Sequence, residues 1–128
     1  MPAYDTNLFD PPAPLALVTL RNPQTAISVS DVPMHLDSGA DATLIPSNFV
    51  NQLELNIDSD AVYELRGFDG TLSLASVVRL EILFLNRTFR GRFLIIDQEW
   101  GILGRNVLNL VSLLFDGPKL NWSELHHR

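Results

Sequence analysis

The sequence predicts a small all-β barrel with a single short helix near its C-terminal end. Three observations lead to this prediction. Residues 72–84 alternate between apolar and less apolar positions, which is typical of one long strand. Several shorter apolar segments are separated by turn residues. Helical character is confined to a short stretch that Asn106 caps or begins.

Composition supports one packed domain and excludes several functions. Domains commonly contain ~100–200 residues, and this chain has 128, of which 46% are apolar. Fifteen acidic residues against nine basic ones give a net charge of −6, which argues against nucleic-acid binding because phosphate contacts need clustered Lys and Arg. The chain has no cysteine, which excludes a disulfide framework, a thiolate zinc site and a cysteine nucleophile.

The chain is predicted to consist of an N-terminal arm, one domain and a short tail. Residues 1–14 contain four of the eight prolines and are expected to be extended. The domain is predicted to span residues 15–122, followed by a tail at 123–128. No apolar run approaches the ~18 residues of a membrane span, and the first residues lack the features of a secretory signal. We therefore expect no membrane segment and an intracellular, cytoplasmic location.

The first predicted strands form a hairpin over residues 15–30. Residues 15–20 are apolar, residues 21–24 give a turn signal, and residues 25–30 contain alternating apolar and polar positions. A second short apolar run, residues 34–36, leads into an acidic turn.

Two longer strands and a final hairpin follow in the second half. The even positions of 72–84 are mostly apolar, whereas Arg79 and Glu81 lie at odd positions. After a turn predicted at Asn86-Arg87, residues 88–96 form the next strand. Apolar residues on both sides of the turn signal Asp116-Gly117-Pro118 predict the last hairpin.

Most catalytic and binding motifs are missing from the sequence. It has three histidines and no His-Glu-x-x-His pair, so we expect no metal, and no glycine-rich phosphate loop occurs, so we expect no nucleotide cofactor. A group of arginines, Arg87, Arg90 and Arg92, is interpreted as a solvated strand face opposite the neighbouring phenylalanines.

The triplet Asp37-Ser38-Gly39 is the strongest candidate for chemistry. It follows an apolar strand, and about sixty-five residues later Gly101-Ile102-Leu103-Gly104 precedes the predicted helix. Alone, the triplet is also an ordinary turn sequence. The ordered pair of segments is more specific than either segment alone.

With these two segments the sequence resembles the retropepsin-like aspartic proteases, the single-domain class that includes retroviral proteases. Residues 36–41 match the catalytic strand and loop, residues 102–106 match the crossing strand and its helix, and residues 66–71 form a candidate flap. The resemblance covers residues 15–122. It implies a closed β-barrel with a flap hairpin and one short C-terminal helix, assembled as a homodimer.

The resemblance implies that two carboxyls act on a peptide bond, and this chain supplies one. One carboxyl takes a proton from water and the other gives a proton to the substrate carbonyl. Two carboxyls ~3 Å apart cannot both ionise cheaply, so they share a proton. Because the chain is too short for a second barrel, the second Asp37 must come from a second copy, with a two-fold axis between them.

The resemblance also assigns roles near the catalytic carboxyl. Ser38 would point its hydroxyl across the axis, and Gly39 would let its backbone amide approach Asp37. Ala40 offers no hydroxyl to the carboxylate, so we expect activity at milder pH. Asp41 and Arg105 are expected to form a buried ion pair beneath the site.

Gly104 is expected to let the crossing strand pack closely behind the catalytic loop. The other expected roles concern substrate. Asp69-Gly70 suits a hairpin turn, so the flap would close over an extended polypeptide and add main-chain hydrogen bonds. The residues expected to bind substrate or form the flap are Ala40, Asp41, Arg66, Gly67, Phe68, Asp69 and Gly70. His35 either lines a side-chain pocket or is a packed strand residue.

Three interpretations follow from the sequence. The first is a homodimeric aspartic endopeptidase with one Asp37 from each chain. The second is a catalytically silent dimeric module that binds peptides on the same fold. The third is a generic β-barrel in which the triplet is accidental.

Overall fold

The computed structural model of the chain describes residues 2–66 and 72–126, which form ten strands and two short helices. The strands are β1 (Tyr4–Asp5), β2 (Ala13–Arg21), β3 (Ser28–Leu36), β4 (Leu44–Pro46), β5 (Ile57–Arg66), β6 (Leu72–Phe84), β7 (Arg87–Ile96), β8 (Gly101–Leu103), β9 (Leu113–Asp116) and β10 (Asn121–Glu124). The helices are α1 (Ser47–Gln52) and α2 (Arg105–Leu108). Among the described residues no helix is long and apolar enough to cross a membrane.

Eight strands form one sheet that closes on itself, as the sequence predicted. Their order is β1-β2-β3-β8-β4-β7-β6-β5, and β2 also pairs with β6, for example through Leu20 and Ile82. This pairing closes a ring of six strands, with β1 and β5 outside the ring. Closure pairs both sides of the strands in the ring and encloses the apolar side chains between them.

The predicted first hairpin is confirmed, and its second strand is longer than expected. β2 and β3 pair antiparallel, and the register shifts between Val18 and Leu20. Opposite this shift, Asp31 has a left-handed backbone with φ 59°. This is a bulge, which adds a residue without ending the strand. The two apolar runs at 25–30 and 34–36 therefore contribute to one strand that leads to the acidic loop at Asp37.

The β6–β7 hairpin is also confirmed, with its turn one residue earlier than predicted. Leu85 and Asn86 form the turn, and both have positive φ values, 55° and 59°, as a two-residue hairpin loop requires. Arg87 is therefore the first residue of β7. It donates to the Leu110 carbonyl at 2.9 Å and lies 3.6 Å from Glu124. Because successive residues of a strand face opposite sides, Arg87 lies on the face opposite to Arg90 and Arg92. The prediction that placed all three arginines on one face was therefore wrong.

The prediction of a single helix was incomplete. The short C-terminal helix is present as α2, beginning at Arg105. The additional helix α1 follows Pro46 and buries Val50 against the core, and Leu53, directly after the helix, is buried beside it. Its six residues are shorter than the windows in which helical periodicity is recognisable, so the sequence pattern did not show it.

The interior holds one large apolar core and one small one. The large core contains Ala16, Val18, Leu20, Val32, Met34, Leu36, Ile45, Val50, Leu53, Val78, Leu80, Ile82, Phe84, Phe93, Leu103, Val107 and Trp122. The small one contains Leu44, Ala75, Val77 and Leu94. The odd positions of β6 are thus less uniformly polar than predicted, because Ala75 and Val77 face the small core.

One carboxylate is buried on the barrel wall between two arginines. The Glu81 side chain accepts hydrogen bonds from Arg21 at 2.8 Å and from Arg90 at 2.5 Å. The hydrogen bond from Arg21, joined by that from Arg90 and the charge of both, holds the pKa of Glu81 below its ordinary value. These contacts tie β2 and β7 to β6 beside the seam that closes the barrel.

The two ends of the chain pack together outside the barrel. β9 and β10 form a separate two-stranded sheet. The Tyr4 amide donates to the Leu120 carbonyl at 2.8 Å, and the Trp122 amide donates to the Pro2 carbonyl at 3.0 Å. Ordered strands therefore extend beyond both limits of the predicted domain, since β2 begins at Ala13 and β10 ends at Glu124.

Candidate active site

Asp37 follows directly after β3, where the catalytic strand meets the crossing strand. β3 and β8 pair in parallel, with Leu36 opposite Leu103. The Asp37 amide continues this ladder by donating to the Leu103 carbonyl at 3.1 Å. The backbone of the acidic residue is therefore held to the barrel, while its side chain is only half-buried.

Gly39 brings a backbone donor to the carboxylate, as the sequence predicted. Its amide donates to Asp37 Oδ1 at 2.9 Å. A Cβ at position 39 would lie 3.1 Å from the same oxygen, which is tighter than ordinary contact. The Ala40 amide closes the turn by donating to the Asp37 carbonyl at 3.1 Å. These bonds restrict the rotation of the carboxylate and order the loop around it.

Gly104 lets the crossing strand approach the back of this loop, also as predicted. A Cβ at Gly104 would lie 2.6 Å from the carbonyl carbon of Ala42 and 2.9 Å from the Ala40 oxygen. Beside it, the Arg105 amide donates to the Ala40 carbonyl at 2.8 Å. The catalytic loop and the start of α2 are thus joined backbone to backbone, with no space for a side chain at position 104.

The predicted buried pair between Asp41 and Arg105 is not observed within the single chain. Both residues are exposed. The Arg105 guanidinium instead donates to the Ser38 carbonyl at 3.0 Å. The Arg105 side chain therefore supports the Asp37 loop by binding the backbone of that loop. This is possible because the turn at Asp37–Ala40 presents a carbonyl oxygen towards α2.

Thr43 completes the support of the loop, and the sequence interpretation missed it. Its hydroxyl donates to Asn106 Oδ1 at 2.6 Å and accepts the Gly104 amide at 3.1 Å. The residue is 1% exposed, so its hydroxyl depends on these partners. The available sequence signal was that the polar Thr43 directly precedes the apolar Leu44 and Ile45. This signal does not identify the partner Asn106, which lies 63 positions away in the sequence.

His35 and two aromatic side chains lie next to the catalytic strand's end. The Phe9 ring centroid is 4.7 Å from that of His35 and 5.1 Å from that of Trp100. Burial lowers the pKa of His35, and the nearby Asp37 carboxylate partly opposes this by raising it. Phe9 belongs to the predicted arm, so the arm contributes a side chain beside the site.

The remaining predicted site residues are placed as follows. Ser38 is exposed and Ala40 is half-buried, both in the loop after β3. Arg66 ends β5, where its backbone pairs with Leu72 of β6. The flap residues Gly67, Phe68, Asp69 and Gly70 lie outside the described part of the chain. Within residues 2–66 and 72–126 no three His, Asp or Glu side chains cluster as a metal site requires.

The closed barrel, the Asp37 loop after β3 and the crossing strand before α2 define a retropepsin-like fold, and solved structures agree. A protease of EIAV in complex with the inhibitor HBY-793 has 22% sequence identity, with a TM-score of 0.57 over 76% of this chain and 86% of that one. A retropepsin-like aspartic protease from Rickettsia conorii has 13% identity, with a TM-score of 0.56 over 89% of this chain and 81% of that one. No protein-family model and no curated protein sequence matches the chain.

Proposed function

We propose that this protein is an aspartic endopeptidase that acts as a homodimer. The observation that carries the proposal is the geometry of the Asp37 loop on a retropepsin-like barrel. In this loop the half-buried Asp37 carboxylate accepts a hydrogen bond from the Gly39 amide at 2.9 Å. An ordered carboxylate that remains accessible is the group that this chemistry requires.

The mechanism uses one carboxyl from each copy. The pair of Asp37 side chains holds one proton between them, because two ionised carboxylates at contact distance repel strongly. The ionised member takes a proton from a water molecule, and that water attacks the carbonyl carbon of the peptide bond. The protonated member gives its proton to the carbonyl oxygen, and the product of this step is a tetrahedral gem-diol. The C–N bond then breaks as the carboxyl that took the water proton gives it to the departing amine nitrogen, while the other carboxyl takes a proton back from a diol hydroxyl and restores the shared-proton pair. No covalent enzyme intermediate is formed.

Apolar surface beside the catalytic loop supports assembly with a second copy. A groove of about 410 Å³ borders Ser38 and Arg105 and is lined on its other side by Leu113 and Phe115. In the same hairpin Leu114 is 51% exposed and Phe115 is 47% exposed. Exposed apolar residues grouped on one element are typical of an interface, and the groove joins this hairpin to the Asp37 loop, which supports a partner that contacts both.

The edge of β9 supports the same assembly. In the sheet formed by the described residues, β9 has β10 as its one strand neighbour. The far side of β10 is occupied by the chain's own N-terminus, through the bridge between Ala3 and Asn121. The open edge of β9 can pair with the same strand of a second copy, because unpaired edges favour added strands.

An extended polypeptide is the substrate that this arrangement suits. The β5–β6 hairpin extends to Arg66 and Leu72, which pair across it. A strand-like substrate lying between this hairpin and the catalytic loop would add main-chain hydrogen bonds, as in β-augmentation.

Substitution of the catalytic carboxyl tests the proposal. Asp37→Asn removes the group that takes or gives the proton, so cleavage of an unstructured protein such as casein should fall by roughly a thousandfold or more between about pH 4 and pH 7.5. The variant should still sediment as a dimer. Cleavage is measured by the appearance of new amino termini.

Asp31→Asn is the matched control, because it makes the same chemical change at the exposed bulge of β3. It should cleave casein at the wild-type rate. If Asp37→Asn cleaves casein at the wild-type rate, the proposal of an aspartic endopeptidase is rejected. A wild-type dimer that cuts nothing over this pH range but binds extended peptides would favour the silent peptide-binding module instead.

A further inference from the structure

Phe9, His35 and Trp100 form an aromatic cluster beside the catalytic loop, which we call the aromatic wall. Phe9 contacts both partners, with ring centroids 4.7 Å from His35 and 5.1 Å from Trp100. The three side chains come from three different parts of the chain: the N-terminal arm, the end of β3 and the loop before β8. All three are half-buried, so each still presents surface to solvent.

The direction of β3 places this wall on the side of the sheet that carries Asp37. Leu36 is buried in the large core at 4% exposure. Since successive residues of a strand point to opposite faces, His35 and Asp37 project away from that core together. The Asp37 carboxylate raises the pKa of the imidazole, against the larger lowering effect of burial.

We propose that the aromatic wall binds a substrate side chain next to the scissile bond and that the charge on His35 sets its preference. With neutral imidazole the wall is apolar and aromatic, and it favours a large apolar side chain. With protonated imidazole it favours a carboxylate side chain, which can pair with the imidazolium. This inference rests on the proposed peptidase function and adds a substrate class to it.

The elements around this imidazole contribute several carboxylates, of which Asp37, directly after β3, is the one that acts on the pKa of His35. The positions paired with His35 are apolar, Leu15 on β2 and Ile102 on β8. The exposed Asp10 follows Phe9 in the arm, and the exposed Asp97 and Glu99 precede Trp100 in the loop before β8. Burial keeps the pKa of His35 below its ordinary 6.5, so the ring is neutral at pH 7.5 and takes up its proton on acidification.

The test compares two peptides that differ at one position. A peptide cleaved by the wild-type protein is made with either Phe or Glu at a residue flanking the scissile bond, and kcat/KM is measured from about pH 7.5 to pH 5. The ratio of Glu peptide to Phe peptide should rise by roughly fivefold as pH falls, the size expected for one partly exposed charge pair. Titration of the catalytic pair changes the turnover of both peptides, and any part of the rise that the charge of this pair causes is retained in a variant without His35.

Two histidine variants test whether His35 causes the rise in the ratio of Glu peptide to Phe peptide. His35→Phe keeps an aromatic ring but cannot titrate, so its ratio should lose most of the wild-type rise over the same pH range. His126→Phe makes the same change at the exposed C-terminal histidine and should retain the wild-type rise. Circular dichroism confirms that both variants are folded. Phe9→Ala should raise KM for the Phe peptide more than it lowers kcat, because the wall contacts the side chain and not the reacting bond.

The inference is overturned if the wild-type ratio is independent of pH at both flanking positions, or if His35→Phe keeps the rise. If the wild-type protein cleaves neither peptide, the peptidase proposal fails separately. The same ratio is then read from the binding affinities of the two peptides, where a constant value again rejects the role of His35.

Discussion

The Asp37 loop and the C-terminal hairpin differ in where their side chains find partners. Residues 37–43 place their polar groups on partners within the chain, since Asp37, Gly39 and Thr43 each have a hydrogen bond to the loop, β8 or α2. The hairpin of β9 and β10 instead leaves large apolar side chains in solvent, among them Leu114 and Phe115.

This difference shows which part of the site one chain can build alone. The buried hydroxyl of Thr43 in this loop must be satisfied within the chain, because unpaired polar groups are costly away from water. An exposed apolar hairpin lowers its free energy when another surface covers it. The first region therefore concerns the stability of the single chain, whereas the second is the surface through which the proposed homodimer would form.

The largest expected effect comes from filling the space at Gly104. Gly104→Ala places a methyl group against the backbone of Ala42, which cannot move without shifting the catalytic loop. We expect a loss of about 3 kcal/mol in the free energy of unfolding. Urea denaturation measures it. Gly117→Ala is the control, because a Cβ there has no atom within 4 Å. Equal stability of the two variants would show that the close packing behind the loop is unimportant.

A charge on the hairpin should act on association instead. Phe115→Glu places a carboxylate on the exposed apolar face, and in a two-fold dimer the change occurs twice. We expect the dimer dissociation constant to rise by roughly tenfold or more, measured by sedimentation, with the monomer remaining folded. Leu17→Glu, at an exposed apolar position on β2, should leave the dissociation constant unchanged. If both variants dimerise like the wild type, the hairpin is not the interface.

Removal of the buried hydroxyl should have the smallest effect of the three. Thr43→Val leaves the Gly104 amide and Asn106 Oδ1 without their partner, at a cost of about 1–2 kcal/mol in thermal or urea unfolding. Thr25→Val removes a hydroxyl that accepts the Ile27 amide in an exposed turn. Its cost should stay below about 0.5 kcal/mol. A Thr43→Val variant as stable as Thr25→Val would mean that the loop does not depend on this bond.

Several parts of the fold were predictable because their signals are local. Period-two alternation predicted β6, and turn residues predicted the hairpins around 21–24 and 116–118. The catalytic loop was recognisable because Asp37, Ser38 and Gly39 are adjacent, and the amide of Gly39 does reach the carboxylate. The helix α1 was not predictable in this way, since six residues are too short for a periodic signal.

The errors near the site concern partners that are distant in sequence. The family resemblance implied a pair between Asp41 and Arg105, but the Arg105 guanidinium donates to the Ser38 carbonyl. A backbone oxygen carries no sequence signal, so matching residue types to the family pattern could not identify it. Thr43 was overlooked for a related reason, because its role depends on Asn106.

By itself, the sequence determined the alternation of the long strand β6, the positions of the hairpin turns and the acidic turn at Asp37-Ser38-Gly39. It also determined that each chain carries one such acidic turn. These properties depend on side-chain alternation and turn chemistry over a few residues. Only the tertiary structure decided that Thr43 lies under α2 and that Phe9 of the arm covers His35 beside Asp37. Those contacts arise because the closing of the barrel brings remote segments together, and the distances between them depend on the register of every strand in the ring.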